Sequence, residues 1–258
     1  MKTRIAQPGL TIFALFTLLL VLAAPARAEK TGETEISIGL GGAVSTSLYK
    51  SYDTRWTPLP VIGFENDWAY IRGLEAGFKI LNLEYLEFSA FVGYDPTSFD
   101  SADTGNNRLR RLDDRHSSAL AGLEAQLLTP YGMFFVRGAA DILGQSDGFV
   151  GEVGYKQSLE FGPLEFVPAF GLYWANSDYN DYYYGVSGKE ARRSGLERYR
   201  AGSDFSPYLG LSVDWELNEH WDIFCHGQVT FAGSEVRDSP MVGESYTKSL
   251  NFGVVYNF

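Results

Sequence analysis

From Glu35 to the final Phe258 the chain alternates apolar and polar residues at a period of two, in stretches of about ten separated by turn residues. A period of two places every second side chain on one face of a strand, which a helical bundle cannot use. Three stretches near the C-terminus show it best. Leu209, Leu211, Val213, Trp215 and Leu217 form one face, with Gly210, Ser212, Asp214 and Glu216 on the other. After the turn Asn218-Glu219-His220, Trp221, Ile223, Cys225, Val229 and Phe231 alternate with Asp222, Phe224, His226, Gln228 and Thr230. The last stretch sets Leu250, Phe252, Val254, Tyr256 and Phe258 against Asn251, Gly253, Val255 and Asn257. Similar segments lie near 35–46, 74–81, 85–94, 119–128, 133–143, 149–158 and 164–174. A tilted strand of this length crosses a bilayer.

The first 28 residues differ in kind. Lys2 and Arg4 precede the apolar run Leu10–Ala24, and Ala26-Arg27-Ala28 offers a small-x-small cleavage site. This is the layout of a secretory signal peptide, so the domain plan is a leader over 1–28 and one folded unit over 29–258. Losing Lys2, Arg4 and Arg27 with the leader takes the formal charge from −11 to −14. Such an acidic chain is a poor match to nucleic acid, whose phosphates demand clustered cations. The single cysteine, Cys225, allows no internal disulfide.

Alternation alone fits a soluble sandwich or a membrane barrel. Three features favour the barrel. Tyr94, Tyr131, Trp174, Trp215, Trp221 and Tyr256 stand at strand ends, where interfacial girdles lie. Short turns alternate with long polar excursions near 96–116, 176–203 and 232–245. The chain closes on an alternating strand ending Tyr256-Asn257-Phe258, which resembles the signal read by the outer-membrane assembly machinery. The expected fold is therefore all-β, a transmembrane antiparallel up-and-down barrel. Both termini on the periplasmic side require an even count. Pro58 and Pro60 weaken the stretch before Gly73 as a central strand, so ten strands are expected, with twelve as the alternative.

With the apolar faces toward lipid, the lumen receives Glu75, Lys79, Glu87, Glu124, Arg137, Asp141, Glu152, Lys156, Glu165, Asp214, Glu216, Asp222 and His226. Small barrels are filled by side chains. The set reads either as an ion-pair network holding the wall or as a narrow path favouring cations; Glu124, Arg137, Asp141, Asp214, Glu216 and Asp222 are its leading members.

Catalytic patterns are weak. Ser212 and His226 could be neighbours on the wall, yet neither a nucleophile elbow nor an oxyanion donor cluster accompanies them. Asp178 and Asp181 lack the spacing and glycine of a calcium loop. No enzyme activity, cofactor or metal is expected. The run Arg108 to Arg115 mixes arginines with Asp113 and Asp114; it reads as a solvated loop or a contact for lipopolysaccharide phosphates.

A set of short motifs follows in order along the second half. Tyr184-Gly185-Val186-Ser187 precedes Glu190-Ala191, Ser194-Gly195-Leu196 and Tyr199, and later come Asp238-Ser239-Pro240 and Val242. With Gly39–Ala43 and Pro58-Leu59-Pro60, this order and spacing resembles the MipA/OmpV family. The resemblance implies an outer-membrane barrel without established catalytic residues. It further implies a scaffold joining a lytic murein transglycosylase to a penicillin-binding protein, in company with outer-membrane lipid, lipopolysaccharide and the assembly machinery. A narrow cation-leaning diffusion channel and a loop-borne adhesin are the alternatives.

Overall fold

The computed structural model describes residues 34–258; the expected leader and cleavage site lie outside them. Thirteen strand segments run in order: β1 (Glu35–Ser45), β2 (Arg55–Glu65), β3 (Ala69–Arg72), β4 (Glu75–Leu83), β5 (Leu86–Asp95), β6 (Ser118–Thr129) and β7 (Gly132–Asp141). They continue with β8 (Phe149–Lys156), β9 (Leu159–Phe161), β10 (Leu164–Ala175), β11 (Asp204–Asn218), β12 (Trp221–Phe231) and β13 (Tyr246–Asn257). β8 and β9 pair in succession with β10 and form one interrupted strand. Every neighbour is antiparallel, and β13 pairs with β1 from Ser37–Asn257 to Ser45–Ser249. The sheet thus closes on itself as a barrel of twelve strands, which leaves no terminal edge.

Twelve rather than ten follows from the stretch around Pro58 and Pro60. β2 is a full strand against β1, with Leu40 opposite Pro60 and Gly42 opposite Pro58. On its other side only Gly63–Glu65 pair, with Arg72–Tyr70 of the short β3. The Gly73 N–H donates to the Ile62 carbonyl at 2.9 Å, so the even residues of β2 aim their backbone groups toward β3. Pro58 and Pro60 share that parity but lie beyond the reach of β3. Their missing N–H groups therefore break no ladder, and the usual objection to proline in a central strand does not apply.

The outward face carries a broad apolar belt. Leu40, Ile62, Phe78, Phe134, Val136, Leu209 and Phe252 are all exposed, and among the described residues no helix is long and apolar enough to cross a membrane. Two-residue turns such as Glu84-Tyr85 and Gly162-Pro163 connect strands at one end, while loops 46–54, 96–117, 142–148, 176–203 and 232–245 connect them at the other. In outer-membrane barrels the short turns are periplasmic and the long loops extracellular. Three short helices lie in those loops: α1 (Ser177–Tyr184), α2 (Gly188–Ser194) and α3 (Ser234–Arg237), with a 3-10 turn at Leu109–Arg111. Helices were not part of the all-strand expectation.

Candidate functional site: a capped, charge-filled barrel

The extracellular loops fold inward and close the mouth. α1 starts at Asn176, whose side chain accepts from the Tyr179 N–H at 3.1 Å. It ends at Gly185, which has an extended φ of −75°. Glycine is needed there for room, because a Cβ would stand 2.3 Å from the Asp181 carbonyl oxygen. Val186 and Tyr199 then form an isolated bridge. Ser187 caps α2 in a reciprocal box: its hydroxyl accepts from the Glu190 N–H, and Glu190 accepts from the Ser187 N–H at 2.9 Å. Gly195 ends α2 with φ at +72°, the left-handed geometry glycine favours.

Glu190 then reaches into the neighbouring loop. Its Oε1 takes the Arg115 guanidinium at 2.8 Å and the Asp113 N–H at 3.0 Å. Arg115 also donates to the carbonyls of Tyr182 and Asp113, each at 2.6 Å. Burial alone would raise the Glu190 pKa; the Arg115 guanidinium and the Ser187 contacts reverse this and hold it down at about 2. The late motif docks on the same core. Ser239 donates to the Tyr184 carbonyl at 2.6 Å, and Lys50 to the Pro240 carbonyl at 2.9 Å. Tyr49 donates to the Tyr183 carbonyl at 3.1 Å and bridges Val242.

The motif residues are thus cap residues. Tyr184, Val186, Glu190, Ser194, Ser239 and Val242 are buried, Ala191, Leu196 and Tyr199 pack against them, and Asp238 caps α3. Arg115, Tyr49 and Lys50 complete the lock, and nothing in the sequence singled them out for this. Asp181, considered for calcium, instead accepts from the Ala201 N–H at 3.2 Å. Around this lock, Arg108, Arg110, Arg111, Lys189, Arg192 and Arg193 stay exposed. Arg193 pairs with Asp113 at 2.6 Å, and Arg111 donates to the Arg193 carbonyl at 3.2 Å.

Beneath the cap the lumen is crossed by ion pairs. Arg137 meets Glu75 at 2.6 Å and Glu124 at 3.4 Å and lies 4.0 Å over the Phe91 ring. Tyr70 donates to Glu75 at 3.2 Å, and Tyr208 to Glu152 at 2.6 Å. A second knot joins Arg72 to Glu65 through two bonds of 2.6 and 3.0 Å, with Lys79 at 2.9 Å from the same carboxylate. Glu65, Tyr70 and Arg72 belong to the strands that a ten-stranded count leaves out. The void between cap and network, lined by Phe91, Asp95, Arg137, Glu152 and Tyr179, measures only about 30 Å³, room for a water or so.

The other lumen candidates fall elsewhere. Asp141 is taken up by the β7–β8 loop, accepting from the Ser146 and Leu143 N–H groups at 2.6 and 3.0 Å. Asp214, Glu216 and Asp222 sit at the periplasmic mouth, with Glu165 opposite Asp214 and Asp222 opposite Glu216; Asn257 donates to Asp222 at 2.6 Å. Ser212 does face His226 across β11–β12, but His226 faces Asn251 on its other side, so neither neighbour supplies an acid. Tyr256 joins a rim cluster, 5.1 Å from the Trp221 ring and 5.0 Å from Phe258.

A closed antiparallel barrel with an apolar belt, short turns at one end and long loops at the other defines an outer-membrane β-barrel protein. The chain belongs to the family described as MltA-interacting protein MipA, whose profile matches residues 38–258. It is 36% identical to the MltA-interacting protein of Escherichia coli (strain K12), over 96% of this chain and 99% of that one. The putative outer membrane protein YiaT of Escherichia coli O157:H7 is 33% identical over 96% and 98% of the two chains. Outer membrane protein OmpV of Vibrio cholerae is 31% identical over 88% of each.

Proposed function

We propose that this protein is a non-catalytic scaffold in the outer membrane that presents its periplasmic rim to murein-remodelling enzymes, a lytic transglycosylase and a penicillin-binding protein. The observation that carries this reading is the double closure of the barrel. A locked cap and a buried Arg137–Glu75–Glu124 cluster leave little room for solute passage, so the work falls to an outer surface. The name of the relative MltA-interacting protein supports the transglycosylase half of this reading.

The periplasmic rim has the composition of an interface. Trp68, Tyr85, Tyr131 and Phe161 are 57 to 78% exposed on or beside its turns, and exposed aromatics of this kind anchor protein contacts. The turns are short, so each contact is weak and the rim must act as a whole; stable interfaces bury about 1,000 Å² or more. At the opposite end, the exposed arginines around Arg110 and Arg193 suit lipopolysaccharide phosphates.

The test is a crosslinked pull-down of the tagged protein from detergent-solubilised envelopes, with an unrelated barrel as control. Enrichment of a lytic transglycosylase and a penicillin-binding protein supports the scaffold. Recovery of assembly machinery and lipopolysaccharide alone refutes it.

A further inference from the structure

The wall has a notch in its extracellular half. β3 stops at Arg72 and β4 begins at Glu75, opposite Gly93. β2 continues upward through residues 62 to 55 with β1 on one side only. Across the gap β5 runs on past β4 to Asp95, the Tyr94 N–H reaching the Leu74 carbonyl at 3.1 Å. Among the described residues no strand fills the space between. Its floor is the Gly73-Leu74 turn. Its lintel is the 96–117 loop, tied to the top of β2 by the Arg55–Asp103 pair and to the β1–β2 loop by the Gly105 N–H on the Ser51 carbonyl at 2.8 Å.

An unpaired edge at membrane depth is costly, because lipid satisfies no backbone group. Here Pro58 and Pro60 carry no N–H donor, so the middle of the edge offers acceptors alone. Missing donors at two successive gap-facing positions make the edge a poor template for an added strand from a second chain. The remaining lining is apolar: Ile62 and Leu74, 50 and 54% exposed, flank it outside, and Leu59 and Val61 lie behind on the lumen face. A void near the lintel, lined by Tyr52, Arg55, Ser98 and Tyr184, holds only about 20 Å³, so no sizeable chamber adjoins the notch there.

We propose that the β2–β5 notch is a binding site for an acyl chain of the outer-leaflet lipid, which inserts between Pro58-Pro60 and Tyr94 and covers Leu59 from the side. The test uses the full chain in phosphatidylcholine vesicles, with Cys225→Ser as the background for single nitroxide labels at Leu59→Cys and Val61→Cys. Ile62→Cys reports the lipid face. Gln228→Cys reports the lumen behind a wall paired on both sides. Power-saturation measurements then compare collision with oxygen, which concentrates in lipid, and with a water-soluble nickel chelate.

The expected result is oxygen access at 59 or 61 close to that at 62 and several-fold above that at 228, with little nickel access. Nickel access at both 59 and 61 overturns the site as a water-filled gap. Spin–spin broadening between copies at both positions overturns it in favour of a second chain on the edge. Both positions behaving as 228 overturns it outright. Heat-modifiable mobility on gels establishes that each variant is folded.

Discussion

Arg115 and Glu190, 75 residues apart in sequence, meet at 2.8 Å in the cap, and both are buried. This one pair fastens the 96–117 loop to the 176–203 loop, while the same carboxylate closes the capping box of α2. Removing either partner leaves a charge stranded in the protein, which is more damaging than replacing both.

Arg115→Ala is therefore expected to lower the stability of the cap by about 3 kcal/mol and to leave the barrel wall assembled. Limited trypsin digestion of intact vesicles reads this: cleavage at Arg110, Arg111, Arg192 or Arg193 should accelerate while the heat-modifiable band persists. A digestion pattern equal to the parent's would mean the lock lies elsewhere.

Acid should release the same lock. The Glu190 carboxyl is held at about 2 against an ordinary 4.5, so its contribution is complete above about pH 4.5 and is lost as pH falls toward 2. Loop protection followed by hydrogen exchange should drop in that window. Glu190→Gln should start from lower protection and lose this part of the pH dependence.

Gly185→Ala places a methyl 2.3 Å from the Asp181 carbonyl. The end of α1 must shift, at a cost on the order of 1–3 kcal/mol. Gly195→Ala sets a side chain at φ +72° with open space around it and should cost less, about 1 kcal/mol. Thermal melts of the two variants, followed by a loop-specific probe, should rank in that order.

Arg137→Ala takes the cation away from Glu75 and Glu124 in the buried charged layer beneath the cap. Planar-bilayer recordings are expected to show little conductance for the parent and a cation-selective leak for the variant. A parent that conducts freely would revive the diffusion channel at the expense of the scaffold.

Much of the wall is legible in the sequence because a strand's two faces see different solvents. Parity alone puts Phe252 and Val254 outward and Glu124 and Arg137 inward. The β2–β3 pair is not legible, because Pro58 and Pro60 read as obstacles until the pairing shows that their side of β2 has no ladder to break. The α2 helix could have been read: Ser187-x-x-Glu190 is a capping box. The role of Arg115 could not, since only the folded loops bring it to Glu190. The motif residues themselves are visible as a pattern, but that they are packing for a lid, with Tyr184 and Val186 sealed inside, depends on three loops converging.

The first and last strands are neighbours, with the Phe258 N–H on the Ile36 carbonyl at 3.0 Å. The two ends of the folded chain thus emerge side by side at the same rim. A short peptide could join them, and new ends could be cut into the 142–148 loop without losing any strand pair. Such a circular permutant would keep the whole hydrogen-bonded wall while burying Tyr256 and Phe258 mid-chain. It would separate what those aromatics do as masonry from what they do as a terminal signal, a distinction that point substitutions blur.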